Sequence, residues 1–339
     1  MKNKSVFIHN IDSKYNTGLF PVRISNSDFV DGIDREYSKN NYLTSQYSLE
    51  VKIHKFMSNY SNLTDNIDNC EIIYIPIYTF LLAWKQSYFY DVNEIINNLN
   101  ELKSFIDHYS ESKKILMVYS DVLWDDGRCF INHFNFNKNV FCVCYENNNH
   151  NIYNNQIPVC FVTHISCDPN DYVIPNNLNR NNLICYCGRY RKEQDYIKNI
   201  KILDVMKYQE VENQWISYNN FYANNEIDNL YENSTFSLQP HGDRETRKGF
   251  YQSLLLGCIP VIFENNFLTY KKVFEDHIHI EELCIIIKND QIDNIETILN
   301  SIDNNKIENI INNYNKIKPL LLYNDNNMEI VKNILSKIN

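Results

Sequence analysis

No run of ~18 consecutive apolar residues, the length a membrane-crossing helix needs, occurs in the chain, so no membrane span is expected. A long basic run is also missing, and the formal net charge is −10, which argues against a nucleic-acid-binding protein but leaves room for a local basic pocket. Met1-Lys2-Asn3-Lys4 leads into an apolar stretch too short for the core of a signal peptide, so the expected location is cytoplasmic. In that reducing setting the ten cysteines are expected to be buried free thiols, not a disulfide framework. Neither a Walker pattern nor G-x-G-x-x-G is found, which lowers the ordinary ATPase and dinucleotide-binding readings. No repeat of short fixed period is present.

What is present suffices for two domains: 339 residues, with 25 Tyr and 18 Phe to fill their cores. The first half predicts strands at Ser5–His9, Glu71–Ile75, Ile115–Tyr119, Val140–Tyr145 and Pro158–His164. Helices are predicted at Ser45–Tyr60, around Phe80–Tyr88 and at Val92–Tyr109. A linker rich in Asn and Pro follows at Cys167–Asn182. The alternation then resumes with a strand at Leu183–Cys187, a helix at Glu193–Lys207, a strand at Leu283–Ile287 and helical segments to the end. Two successive groups of alternating strands and helices predict an α/β fold of two doubly wound domains facing a cleft, residues 1–170 and 171–339, with the last helix packing back on the first.

The most informative stretch is Ser234–Phe263. It reads as strand, polar loop, helix and strand, with Asp243 as N-cap, Phe250, Tyr251, Leu254 and Leu255 on one helical face, and Gly257 just past the helix end. Arg244, Arg247 and Lys248 crowd the helix start, where the macrodipole disfavours cations. Such a cluster with free backbone N–H groups suits an anion, most naturally a phosphate; the alternative is a solvated basic turn. A second basic turn, Cys187-Gly188-Arg189-Tyr190-Arg191, follows the strand that opens the second half. Two such turns at strand ends of one domain point to a nucleotide-type ligand.

Other constellations read more simply. Cys142 with Cys144 and Cys185 with Cys187 sit in apolar strands and are expected to be core thiols rather than zinc ligands. His277 and His279 suit a half-exposed strand, and Glu50 with His54 a surface pair four residues apart on a helix. The loop Asp121–Asp126 follows a predicted strand of the first domain. Its carboxylates suit a general base, and solvated loop acids are the alternative.

These motifs together resemble the exostosin-like glycosyltransferases. STFSLQPHGDRETRK…LLLGCIPVIF stands where plant-type members carry a pattern close to S-x-F-C-L-x-P-x-G-D-x-x-T-R-R…L-A-G-C-I-P-V. Val6-Phe-Ile-His, Gln46-Tyr-Ser-Leu-Glu-Val, Cys70–Pro76, Leu123-Trp124-Asp125, Asp171–Pro175 and Cys187-Gly-Arg match further family segments in order. The resemblance implies a GT-B architecture of two Rossmann-like domains, acceptor side first and nucleotide-sugar side second. It implies inverting transfer from a nucleotide sugar, usually a UDP-sugar, to a saccharide or glycoprotein hydroxyl, with no metal and no further cofactor. Carried over by position, Gly188, Arg189, Arg191, Gln239, Gly242, Asp243, Arg244, Thr246, Arg247, Lys248 and Gln252 would form the donor site. Arg247 would stabilise the leaving diphosphate and Asp125 would act as base. The chain departs from the family at Gln252, where an acidic residue is common, at Ser237 in place of cysteine, and at Ser112-Lys113-Lys114. A catalytically weak nucleotide-sugar or glycan-binding module with the same fold is the alternative reading.

Overall fold

In chain order the first strands are β1 (Val6–Ile8), β2 (Val22–Ile24), β3 (Arg35–Tyr37), β4 (Ile72–Tyr74), β5 (Lys114–Val118), β6 (Val140–Cys144) and β7 (Gln156–Pro158). The computed structural model describes residues 4–19, 22–24, 35–37, 48–82, 92–120, 134, 136–146, 155–176, 178–187, 203–205, 224–241, 245–324 and 327–339. The chain divides into two compact units, Met1–Val162 with Tyr323–Asn339, and Thr163–Leu322. The division falls between Val162 and Thr163, ahead of the Asn- and Pro-rich linker, and the last seventeen residues belong to the first unit.

In the first unit β1, β4, β5, β6 and β7 form one parallel sheet in chain order, and β2 pairs with β3 in a separate antiparallel ladder. β6 is buried along its whole length and β5 at all but its first residue, which is why they read as unbroken apolar runs instead of alternating ones. Helices α1 (Leu49–Ser58) and α2 (Val92–Tyr109) connect the strands. On α1 the residues Leu49, Ile53, Phe56 and Met57 are buried at helical spacing. The chain returns at its end: the Tyr323 hydroxyl donates to the Cys160 carbonyl at 2.6 Å, and Lys52 Nζ to the Tyr323 carbonyl at 3.0 Å.

The second unit holds β8 (Asn182–Tyr186), β9 (Leu203–Val205), β10 (Ser234–Leu238), β11 (Ile259–Phe263) and β12 (Ile285–Ile287). They pair in parallel in the order β12-β11-β10-β8-β9. From β8 the chain steps outward to β9, then crosses back to β10 and continues the other way. The strand order therefore reverses between β8 and β10, the Rossmann-like pattern whose crevice binds ligands at the strands' carboxyl ends. The connecting helices include α3 (Asn224–Glu232), α4 (Lys248–Leu255), α5 (Phe267–Phe274), α6 (Ile295–Asn300) and α7 (Asn304–Leu321); α8 (Glu329–Ser336) lies in the returning segment of the first unit. Two parallel α/β units in one chain give the GT-B-type composition expected from sequence.

On α4, Phe250, Tyr251, Leu254 and Leu255 are fully buried, and Phe250 stacks on Tyr270 of α5 with ring centroids 4.1 Å apart. The helix ends at Leu255 with Leu256 as C-cap, and Gly257 takes the left-handed conformation at φ 66°. A Cβ there would meet the Pro175 carbonyl oxygen at 1.9 Å, so close passage of the linker as well as the positive φ demands glycine. Arg180 closes the same end: its guanidinium donates to the carbonyls of Tyr231, Glu232, Ser234, Leu256 and Pro175 at 2.7–3.4 Å. Those acceptors include carbonyls at the carboxyl ends of α3 and α4, which lack intrahelical donors and favour a cation.

Four sequence expectations are corrected. Leu203–Val205, read as the end of a helix, is strand β9 on the sheet edge; parallel pairing with β8 overrides the helical spacing. The strand read at Pro158–His164 ends at Pro158, which is where its pairing with β6 stops. His277 and His279 lie in a turn and an extended link leading into the 3₁₀ turn Ile280–Glu282, not in a strand. Glu50 and His54 are not a surface pair: Glu50 is 1% exposed, and His54 Nδ1 contacts the Tyr78 hydroxyl at 2.8 Å. Cys142, Cys144 and Cys185 are buried free thiols, and Cys187 is half-buried. Among the described residues no helix is long and apolar enough to cross a membrane.

Candidate functional site

β8 and β10 are hydrogen-bonded neighbours, so the described residues that follow them, Cys187 after β8 and Gln239–His241 after β10, leave from the same edge of the sheet. Of the expected site residues, Gln239, Thr246, Arg247, Lys248 and Gln252 are described. Gly188, Arg189, Arg191, Gly242, Asp243, Arg244 and Asp125 lie outside the described residues.

The helix expected to start at Asp243 begins instead at Lys248, with Arg247 as its extended N-cap (φ −139°, ψ 141°) and no side-chain cap hydrogen bond. Ahead of the helix, Asn266, fully buried, donates its Nδ2 to the carbonyls of Gln239 at 3.1 Å and Glu245 at 3.2 Å. Thr269 of α5 adds a hydroxyl bond to the Glu245 carboxylate. With arginine in place of the usual Ser, Thr, Asp or Asn, the N-cap side chain offers no acceptor to the helix start.

Arg247 is held from three sides. Its guanidinium donates to the Cys187 carbonyl at 2.8 Å, which ties the α4 start to the residue after β8. Its Cζ lies 5.2 Å from the ring centroid of Tyr186, a cation–π distance. Its backbone N–H donates to the Tyr270 hydroxyl at 3.0 Å. The fork carries five N–H donors and stays charged at any ordinary pH. Lys248 follows half-buried; burial lowers its pKa, while Asp228 and Cys187 oppose that shift.

Gln239 and Thr246 lie inside the protein, at 0% and 3% exposure. Gln239 Nε2 donates to Ser237 Oγ at 3.2 Å, and its N–H to the Val261 carbonyl at 2.8 Å. The serine that replaces the family's cysteine at 237 thus supplies the acceptor that holds Gln239. Gly249 leaves the space: a Cβ there would lie 2.7 Å from the Tyr231 hydroxyl and 3.0 Å from Gln239 Oε1.

Gln252 is buried, and its Nε2 donates to Asp228 Oδ1 at 2.7 Å. The other oxygen, Oδ2, lies 2.7 Å from His164 Nε2. Sequence reasoning missed Asp228 and His164. They are 64 residues apart in the chain and carry no local pattern.

The first unit has a polar centre of its own. Glu50 Oε1 accepts the Phe80 N–H at 2.9 Å and the Thr79 hydroxyl at 3.2 Å, while the Glu50 N–H donates to Ser120 Oγ at 2.9 Å. These partners follow β4 and β5, so Glu50 sits at the carboxyl edge of the first sheet. Burial pushes its pKa up to about 8 against the opposing hydrogen bonds from Phe80 and Thr79. Lys113, part of the family departure, donates to the carbonyls of Asp68 at 2.7 Å and Cys70 at 2.8 Å.

The model of the exostosin GT47 domain matches residues 1–302. The chain belongs to the exostosin GT47 family. Among curated relatives it is 25% identical to the probable xyloglucan galactosyltransferase GT15 of Arabidopsis thaliana, over 94% of this chain and 76% of that one. It is 25% identical to xyloglucan-specific galacturonosyltransferase 1 of the same plant, over 81% of this chain and 46% of that one. This exostosin GT47 chain therefore spans about half the length of the second relative and three quarters of the first. Among solved structures it is similar to a glycosyltransferase from Rickettsia africae ESF-5, at 10% identity and a TM-score of 0.42, over 99% of both chains.

Proposed function

We propose that this chain is an inverting glycosyltransferase that moves a sugar from a UDP-sugar to a hydroxyl of a saccharide or glycoprotein acceptor, without a metal ion. The observation that carries the reading is Arg247 held between the end of β8, through Tyr186 and Cys187, and Tyr270 of α5, in a chain of the exostosin GT47 family. On this reading the donor diphosphate rests on the N–H groups and cations at the start of α4, and Gly188, Arg189, Arg191, Gly242, Asp243 and Arg244 belong to the same donor site.

Inversion requires one in-line displacement. A base takes the proton from the acceptor hydroxyl, the acceptor oxygen bonds to the anomeric carbon, and the bond to the diphosphate breaks with its electron pair. Asp125 is the base in this reading. Arg247 meets the charge that appears on the departing diphosphate; its clamps hold it in place beforehand, so little reorganisation is needed as that charge develops. Lys248 adds a second cation whose partial burial strengthens its action on a nearby phosphate. In metal-dependent transferases a divalent ion fills this role.

The relatives are named for xyloglucan galactosyl and galacturonosyl transfer, which sets the first assay: UDP-galactose and UDP-galacturonic acid with xyloglucan oligosaccharides. A panel of UDP, GDP and CMP tested by thermal shift comes beside it, since a ligand that binds only the native state raises the melting temperature. The expected result is a shift with UDP that Arg247→Ala abolishes. A shift with no nucleotide, or one that persists in Arg247→Ala, would sink the assignment.

A further inference from the structure

Glu50, the second residue of α1, joins segments of the first unit that lie far apart in the chain. Its Oε1 accepts the Phe80 N–H and the Thr79 hydroxyl, both in the segment after β4. Its own N–H donates to Ser120 Oγ, in the segment after β5. Tyr78 extends the connection, since its N–H donates to the Tyr15 carbonyl at 3.0 Å in the segment after β1. The roots of three loops at one sheet edge are therefore linked around a single acid.

The two carboxyl oxygens are not equivalent. Oε1 is engaged as an acceptor, while Oε2 is buried with no hydrogen-bond partner. In the neutral acid the proton therefore belongs on Oε2. Ionisation would put charge on an oxygen that has neither a donor nor water beside it, a costly arrangement.

The neighbouring groups do not offset that charge. Tyr74 of β4, Tyr78 after it and Cys142 of β6 ionise to anions, and burial pushes each above its ordinary pKa. On α1 itself, His54 contacts the Tyr78 hydroxyl at 2.8 Å, and Lys52 donates to the Tyr323 carbonyl at 3.0 Å. Glutamine would offer the segment after β4 the same acceptor oxygen as Oε1, so the hydrogen bonds alone do not call for a titratable group.

We propose that Glu50 is a positioning residue: as a neutral acid it holds the segments after β4 and β5 together, and on ionisation it releases them so that water reaches Oε2. Ser120 directly precedes Asp121–Asp126 in the sequence, the stretch that contains Asp125. On the transferase reading, on which this consequence rests, release acts at the root of the segment that carries the base. The direction follows from linkage. Glu50 has an ordinary pKa of 4.5 and a folded one of about 8, so the closed arrangement is fully held below pH 4.5 and weakens as pH rises to about 8.

Hydrogen exchange read by mass spectrometry tests this on the full chain at pH 6 and pH 9, in wild type and in Glu50→Gln. Glutamine keeps the acceptor oxygen and cannot ionise, and comparing the two proteins at each pH cancels the intrinsic exchange rate. Over this interval the opening equilibrium of the wild type should rise about a hundredfold relative to the variant at residues 77–82. Residues 140–144 of β6 should keep their protection in both proteins. In transferase assays the alkaline limb of the pH profile should move up in Glu50→Gln, with the acceptor KM and not UDP affinity carrying the difference.

A loss of protection spread evenly over the first unit, or equal in the two proteins, overturns the proposal, as does an alkaline limb that does not move. If Glu50→Gln fails to fold, the wild-type protection at 77–82 relative to 140–144 decides alone. Chain that binds no UDP overturns the transferase reading but leaves the exchange result standing, which separates the two failures.

Discussion

At the carboxyl edge of the first sheet sits an acid, Glu50, sealed beneath Thr79 and Phe80. At the carboxyl edge of the second sit two cations, Arg247 and Lys248, half-buried at the open start of a helix. The same architectural position is thus treated in opposite ways. Burial penalises the Glu50 anion, so this acid stays uncharged below about pH 8. The second edge concentrates positive charge that stacking on Tyr186 and the Cys187 carbonyl hold in place. The held cations of the second edge suit an anion, while the sealed Glu50 offers a ligand no charge. The strand orders differ in the same sense: the second sheet reverses between β8 and β10, while the first runs in chain order through its described strands.

The sharpest way to break this contrast is at Arg247. Arg247→Ala should lower kcat/KM about a thousandfold, the loss expected when a preorganised donor to a developing charge is removed. Initial-rate kinetics with saturating acceptor would measure it, and a loss below tenfold would remove Arg247 from the chemistry. Next in size is Glu50→Gln. The folded pKa of Glu50 is about 8, above the ordinary carboxylate range of the unfolded chain, so the native state holds a proton that the unfolded state releases. The stability tied to Glu50 is fully present below about pH 4.5 and is lost as pH rises to about 8. Glu50→Gln should therefore flatten the decline over that window and be the more stable protein at pH 9, by a few kcal/mol. Urea unfolding at pH 5, 7 and 9 would show it; parallel pH profiles for the two proteins would refute the buried acid.

Two smaller effects separate structural cations from the pair at the helix start. Arg180→Ala leaves carbonyls at the ends of α3 and α4 without their donor and should cost about 3 kcal/mol of stability. At a temperature where the variant is folded, UDP affinity should be unchanged. Lys113→Ala removes bonds to two partly exposed carbonyls and should cost about 1 kcal/mol or less, with no change in turnover. If either variant lost activity as Arg247→Ala does, the contrast between structural and functional cations would fail.

Much of the second unit was legible because its signals are local. Apolar runs of five residues, a four-residue buried stripe on α4 and a glycine at the helix end each sit within one short window. The cations at the helix start were legible for the opposite reason, since they contradict the macrodipole. The cap was misjudged because Asp243 has the chemistry of an N-cap, whereas Arg247 holds that position and its neighbour Glu245 is tied by Asn266, a residue distant in sequence. Glu50 was misjudged because i,i+4 spacing identifies a helix face but not what covers it. The first turn of α1 faces the ends of β4 and β5, which no window around residue 50 contains. Asp228 and His164 meet only through the tertiary fold.

The sealed thiols have a practical consequence. Only the thiolate is alkylated, and burial pushes Cys144 up to about 12 and Cys187 up to about 11. Cys142 and Cys144 lie in the first sheet; Cys185 lies in the second, with Cys258 at the entrance to β11. Labelling at these positions has to wait for the surrounding structure to open, while exposed Cys167 reacts at once and marks zero time. Mass spectrometry of a timed alkylation would thus read two opening clocks from one native chain. Cys187, whose carbonyl holds Arg247, would report whether a bound nucleotide slows the second.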